Sequence, residues 1–259
     1  MPVTAGPNIV TDGLIFCVDS ANKGSYPGSG TTVTDIAGNT TGTLSGTSGD
    51  NNSPQFQNTN NGIFNFDGTD DNISLGSLTS SQSDIDTSNA FSISLWLKTS
   101  NTSTDNLILF GNQGNSWNQY ETMWLYINEG YLYFSVMTNP DQPPHHYYRL
   151  YNNLDTSSVN DNNWHHVCCT FGVDPSTTYL VSKIYVDGIL IKTQLTSHGG
   201  GYAQEINIIN NNYYIGARGS NSIQGFDGEM NNLNLYNKAL SVSEVTQNYN
   251  ALKGRFGLS

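Results

Sequence analysis

The chain predicts a single all-β domain with one short helix near its C-terminus, and three observations carry that prediction. Strong helix formers are scarce, aromatic residues reach 11% with 15 Tyr, and Asn, Ser, Thr and Gly fill the stretches between apolar segments. Tyr, Val and Thr suit a pleated, half-buried surface, whereas a mostly helical chain needs Ala, Leu, Glu, Lys and Arg in quantity. Apolar segments recur along all 259 residues without a repeat, charge block or linker between them, and 36% hydrophobic content suffices for one sizeable core.

The elements follow in order. Residues 14–18 and 62–66 are nearly continuous apolar runs and predicted strands. Between them, 24–61 is a long polar loop region predicted to fold over an edge or end of the sandwich. Segment 91–97 alternates, with Phe91, Ile93, Leu95 and Leu97 on one face and Ser92, Ser94 and Trp96 on the other. Strands are predicted at 106–110, 122–127 and 131–137, the last two joined by Asn128-Glu129-Gly130 with glycine at a left-handed position. Strands at 165–171 and 179–186 come next, and Asp187-Gly188 is a hairpin turn into Ile189-Leu190-Ile191. Segments 213–216 and 228–236 complete the strands. Ser241 caps the helix and Glu244 closes a capping box; Val245, Tyr249 and Leu252 form the packed face, and Gly254 is the expected end.

Charge excludes one class of function. Nine Lys+Arg against 21 Asp+Glu give a net charge of −12, and nucleic-acid binding needs clustered cations. Only 12% of residues are charged, against roughly 25% in average globular proteins, so Asn, Thr, Ser and Tyr must solvate the surface. No run approaches the roughly 18 apolar residues of a membrane span, so no membrane insertion is expected. Met1-Pro2-Val3-Thr4 lacks the basic and apolar regions of a secretory leader, and no secretion by a standard route is expected. Cys17, Cys168 and Cys169 cannot all pair within the chain, and Cys168 and Cys169 are neighbours aimed at opposite sheet faces. They read as reduced, small apolar residues suited to a reducing cytosol, with no metal-binding Cys-x-x-Cys spacing.

Several blocks resemble, in their order and spacing, the laminin-G-like (concanavalin A-like) jelly-roll family in the divergent form shared with pentraxins. They are Phe64-Asn65-Phe66-Asp67-Gly68-Thr69-Asp70-Asp71, segment 91–97, Trp164-His165-His166-Val167, Tyr185-Val186-Asp187-Gly188 and Ile215-Gly216 leading to Phe226-Asp227-Gly228-Glu229-Met230. Leu235-Tyr236-Asn237-Lys238-Ala239-Leu240-Ser241 with Glu244-Val245 closes the series. The resemblance implies a two-sheet antiparallel jelly-roll β-sandwich over 12–252, between an N-terminal arm (1–11) and a C-terminal tail (253–259). It also implies that Trp164 enters the core at a strand start. The fold serves lectins, glycosidases, adhesion modules and virion proteins alike.

A narrower resemblance covers the ends. Gly13 to Asn22 with Tyr26-Pro27-Gly28, and Asn248 to Leu258, are similar to laminin-G-like domains in structural proteins of tailed phages, particularly those of marine bacteria. This resemblance implies a non-enzymatic virion component present in many copies, assembled in the host cytoplasm and displayed on the capsid, as a decoration or head-fibre-like protein, or on the tail. Its expected partners are other virion proteins and host-surface glycans. The rival expectation is a lectin that binds sugar with the help of calcium.

The chemistry agrees with a non-enzyme. Glycosidases of this fold carry a Glu-x-Asp-x-Glu strand, and retaining hydrolysis needs two carboxyls about 5–5.5 Å apart. Here Glu121, Glu129, Glu205, Glu229 and Glu244 are scattered, and no Gly-x-Ser-x-Gly elbow appears. His145-His146 and His165-His166 lack Cys or carboxylates at ligand spacing. No cofactor is expected. Pentraxin-like relatives place calcium ligands after the Ile-Gly pair, where this chain reads Ala217-Arg218-Gly219-Ser220-Asn221. Asp67, Asp70 and Asp71 are oxygen ligands for a structural calcium or, as the favoured reading, the frame of a tight turn.

Three places suit glycans or an interface with a neighbouring subunit. They are Trp117 with Tyr120; His146, Tyr148 and Arg149; and the hairpin bearing Trp124, Tyr126, Tyr131 and Tyr133, whose four rings share a face only for some loop lengths. Arg255, Phe256 and Leu258 are candidates for an exposed docking tail.

Overall fold

Alternation sorts the strands onto two antiparallel sheets, as two-sided packing requires. The computed structural model describes residues 8–38, 40–46, 53–78, 90–112, 123–138, 146–151, 158–174, 176, 179–196, 212–218 and 224–259. With strands numbered in chain order, the first sheet runs β14 (Ile189–Thr196), β13 (Leu180–Val186), β12 (His165–Val173), β7 (Phe91–Lys98), β16 (Asp227–Tyr236), β5 (Ile63–Asp67) and β4 (Gln55–Gln57), with β1 (Leu14–Val18) also on β16. The second runs β11 (His146–Tyr151), β10 (Tyr131–Thr138), β9 (Met123–Asn128), β8 (Leu107–Asn112), β15 (Asn212–Ile215), β6 (Asn72–Ser77), β3 (Thr41–Ser45) and β2 (Thr32–Thr34).

Between the sheets lies the main core. Phe91, Ile93, Leu95 and Leu97 join Leu125, Ile127, Leu132 and Phe134 there, as the alternation of β7 predicts. Phe91 packs on Phe134 and Phe171 with ring centroids 5.8 and 5.7 Å apart. Cys169 faces this core while Cys168 faces the opposite side of the sheet, also as predicted.

The outer face of the first sheet is buried as well. Helix α1 (Val242–Leu252) and a 3-10 turn (Lys253–Phe256) lie across it. Trp96, on the far side of β7 from the core, is fully buried and stacks on Phe256 at 4.4 Å and Tyr249 at 5.8 Å. Such pairs add about 0.5–1.5 kcal/mol each beyond the area they bury. The predicted capping box forms: Ser241 Oγ accepts from the Glu244 N–H, and Glu244 Oε2 accepts from the Ser241 N–H at 2.8 Å.

Three expectations are corrected. The helical turn does not stop at Gly254; it tightens to 3-10 geometry and ends at Gly257, whose φ of 78° is left-handed. Phe256 is buried rather than exposed, Leu258 packs beside it, and Arg255 forks onto Asp19 at 2.9 and 3.1 Å, so this segment is a strap closed on β1 and β7. Trp164 is buried immediately before β12 as expected, in this outer cluster. The region 24–61 adds three short strands, β2 and β3 at the edge of the second sheet and β4 at the edge of the first. Their Thr, Gly and Gln residues carry too little apolar periodicity to reveal them. The N-terminal arm, where described, is tied down: the Val10 N–H donates to Asn248 Oδ1 at 2.8 Å, and Tyr236 OH donates to the Val10 carbonyl at 3.2 Å.

A strap of this kind contributes to folding stability. Phe256→Ala should lower the unfolding free energy by about 3 kcal/mol in urea titrations, the usual cost of emptying a buried aromatic site. A dispensable arm would leave it unchanged.

Candidate functional site

The best-formed aromatic surface lies on the outer face of the second sheet, and a two-residue turn creates it. Glu129 and Gly130 have φ of 51° and 82°, the mirror-image turn that matches strand twist. It pairs Tyr131 with Asn128, Tyr133 with Tyr126 and Ser135 with Trp124. In that register Leu125, Ile127, Leu132 and Phe134 point into the core, and Trp124, Tyr126, Tyr131 and Tyr133 share the other face. Tyr126 and Tyr133 stack with centroids 4.9 Å apart and planes 10° apart, and Trp124 meets Tyr126 edge-on at 6.2 Å.

Trp124 lies in a built recess. Its strand partner is Gly111, where an added Cβ would meet Trp124 Cδ1 at 2.8 Å, so the glycine makes room for the indole. Trp124 Nε1 donates to the Asn112 carbonyl at 3.3 Å, and the Arg218 guanidinium covers the ring with Cζ 4.6 Å from its centroid. Trp124 and Tyr126 are therefore only 7% and 4% exposed, so these two rings serve packing within the sheet face. Tyr131, Tyr133 and Arg218 are the part-exposed members.

Arg218 was legible only as a missing calcium ligand. Its place over Trp124 depends on the fold of residues 216–218 and has no signal in local spacing. The other sequence candidates are only partly placed. Register sets Arg149 opposite Ser135, Tyr148 opposite Val136 and His146 opposite Thr138. The side chains of His146, Tyr148 and Arg149, and all of Trp117 and Tyr120, lie outside the described residues.

The acidic turn after β5 brings Asp67, Asp70 and Asp71 together, with ligand oxygens within 4.8 Å of one another. Asp71 Oδ2 accepts from the Asp67 N–H at 3.1 Å, and Asp67 Oδ1 accepts from the Thr69 N–H at 2.8 Å. These bonds hold a tight turn. Burial, then the neighbouring Asp67 charge, push the Asp71 carboxyl up to about 6. The oxygens suit calcium in hardness, but three carboxylates fall short of its usual six or so ligands.

The adjacent histidines of β12 serve opposite electrostatic roles. His165 sits between two carboxylates, Nδ1 2.8 Å from Asp187 and Nε2 3.0 Å from Asp161. Burial alone would lower its pKa, but these partners hold it above the ordinary histidine value. His166 is buried between Trp96 and the Tyr249 side of α1, with Ser94 Oγ 2.8 Å from its Nε2, and burial holds its pKa down at about 4. Ser94 and His166 are each 1% exposed, so this pair has no route to a substrate. Burial likewise pushes the Cys17 thiol up to about 12 and those of Cys168 and Cys169 well above the usual range. Among the described glutamates, Glu229 pairs with Lys98, Glu244 serves the helix cap and Glu129 forms a turn.

Two antiparallel sheets, a capping helix and a turn-framed aromatic face define a jelly roll of the lectin type. The chain matches the family model described as "Concanavalin A-like lectin/glucanases superfamily" over residues 67–246 and belongs to that superfamily. No curated protein matches it significantly. It is similar to the solved binding domain of Paraclostridial Mosquitocidal Protein 1, at 17% identity and a TM-score of 0.64, covering 96% of this chain and 56% of that one. The receptor binding domain of botulinum neurotoxin C/D mosaic serotype gives 16% identity and a TM-score of 0.62, covering 93% of this chain and 51% of that one. The binding domain of botulinum neurotoxin DC in complex with SialylT gives 17% identity and a TM-score of 0.61, covering 93% and 52%. The chain thus spans about half the length of these structures, and at such identities the likeness is one of fold.

Three pH dependences follow from the charges. His166 stays neutral in the native state, so the unfolded chain binds more protons between pH 6.5 and about 4 and stability falls as pH drops through that window. His166→Gln should flatten this acid loss, on the order of 3 kcal/mol, in urea midpoints measured from pH 7 to 4. His165 has the opposite sign: its contribution is present below pH 6.5 and is lost as pH rises through its raised pKa. Asp71 binds its proton more tightly when folded, so its charge destabilises the native state above about pH 6. Asp71→Asn keeps an acceptor for the Asp67 N–H and should raise stability at pH 8 by about 1 kcal/mol or more, with little effect at pH 3. If the turn holds calcium, the same substitution instead abolishes a calcium-dependent rise in melting temperature.

Proposed function

We propose that this chain is a non-enzymatic adhesion domain of a tailed-phage virion, displayed on the capsid as a decoration or head-fibre-like protein or on the tail, and that it engages host-surface glycans. The observation that carries the adhesive part is the hairpin β9–β10, which aligns four aromatic side chains on one sheet face beside Arg218. Aromatic faces with nearby hydrogen-bonding groups are the usual lining of ligand sites. Membership of the lectin/glucanase superfamily supports this reading, as does the SialylT complex of one structural relative. No cofactor is needed by it.

The virion part is supported by the resemblance of both chain ends to phage structural proteins, by the low charge and by three buried, unpaired thiols. Such thiols suit assembly in a bacterial cytoplasm. Many copies on a particle would compensate for weak single-site affinity, and the same polar surface would contact other virion proteins. The Asp67, Asp70 and Asp71 cluster favours a second reading, a calcium-assisted lectin.

Antibody labelling of purified particles should decorate capsid or tail; unlabelled particles reject the virion assignment. On a glycan array, Tyr133→Ala should lose binding by about tenfold or more, the effect of removing one stacking surface worth about 1.5 kcal/mol. Loss of binding in chelator would favour the calcium-assisted lectin.

A further inference from the structure

We propose that His165 is a proton-dependent latch: carrying its proton, it ties the loop 158–163 to β12, and that loop braces the Glu129-Gly130 turn on which the aromatic face depends. The consequence for glycan binding rests on the carbohydrate reading above, whereas the latch itself does not.

The brace is built where three segments meet. The Val159 N–H donates to the Gly130 carbonyl at 2.9 Å, and the Val159 side chain is buried in the main core. The Asn160 amide lies against Gly130, where an added Cβ would collide with it, so glycine lets the loop and the turn approach. Asn160 Nδ2 donates to the Asn101 carbonyl at 3.2 Å, and the Asn162 N–H to the Thr99 carbonyl at 2.9 Å. The turn reaches the same segment, since the Glu129 N–H donates to the Ser103 carbonyl at 3.1 Å. Loop 158–163, segment 99–103 and the turn thus hold one another, and a shift of the loop takes a backbone bond and a packed amide away from Gly130.

The latch is the pair of carboxylates around His165. Nε2 lies 3.0 Å from Oδ1 of Asp161, in the loop, and Nδ1 lies 2.8 Å from Oδ2 of Asp187, in the turn between β13 and β14. An imidazolium donates at both nitrogens; a neutral imidazole donates at one and turns a lone pair toward the other carboxylate. Asp187 is also fixed by the His166 N–H at 2.9 Å and is the less exposed of the two, 27% against 47%. The other bonds of Asp161 run to Asn163, inside the same loop. Asp161 is therefore the partner that gives way when the proton leaves.

Asp187 and Asp161 are the charges that act on the ring, and they raise its pKa. Of the neighbouring groups, Lys98 on β7 is engaged with Glu229, Glu129 of the turn is exposed, His166 on the other face of β12 is held neutral, and Tyr249 of α1 feels the Asp187 charge. The latch is closed below the ordinary histidine value of 6.5 and opens as pH rises through the raised one.

The test uses the full chain without any sugar. The His165 ring is titrated by NMR, and protection of the Val159 amide against hydrogen exchange is measured from about pH 6 to about pH 9 and corrected for intrinsic exchange. Protection should fall by about tenfold with the midpoint of the His165 ring, the effect of losing one charged hydrogen bond. His165→Gln and Asp161→Asn should each hold protection near the parent's high-pH level throughout. Both variants are melted beside the parent; if His165→Gln fails to fold, Asp161→Asn, at a half-exposed loop position, carries the test. Val159 protection that ignores the His165 midpoint, or that keeps its pH dependence in the folded variants, overturns the latch and leaves the carbohydrate reading standing. A chain that binds no sugar on the array overturns the carbohydrate reading and leaves the latch to this measurement.

Discussion

Trp96 lies on the wrong side of its strand for the main core, and the molecule is arranged around covering it. A sheet with apolar groups on both faces must be packed on both. Here α1 and the 3-10 turn do so, with Tyr249 and Phe256 stacked on the Trp96 indole and Trp164 closing the cluster. Arg255 then latches the turn to Asp19. Because the helix is spent on the first sheet, the two outer faces of the sandwich differ: one is internal structure, the other bears the aromatic hairpin.

The covered layer also explains why suggestive chemistry in it is inert. Ser94, His166 and Cys168 are all buried on that outer face of the first sheet, and the same desolvation that seals them holds His166 neutral and keeps the thiol protonated. His165, one residue earlier, reaches Asp161 and Asp187, which hold its pKa above the ordinary histidine value instead. Adjacent residues on a strand meet different dielectric surroundings, so neighbouring histidines acquire opposite shifts.

On the second sheet, selection acts through register. A one-residue change in the Glu129-Gly130 turn would move Trp124 or Tyr133 to the core face and dissolve the stack with Tyr126. The type of turn thus decides the composition of a surface several residues away. Arg218, contributed by a distant part of the chain, completes the surface only because Gly111 lets Trp124 lie close to the sheet.

By itself the sequence determined the all-β class, most strands, both glycine hairpins and the capping box of α1, because these depend on alternation and local turn chemistry within a few residues. It also singled out the aromatic hairpin while leaving its register open. It did not disclose β2, β3 or β4, which carry little apolar periodicity, nor β6 and β11. Only the tertiary structure decided that Phe256 is buried, that Trp124 and Tyr126 are covered, and that Arg218 belongs to their face. Exposure is a property of what packs against a residue, and partners more than a hundred positions apart, such as Phe256 and Trp96, leave no trace in local spacing.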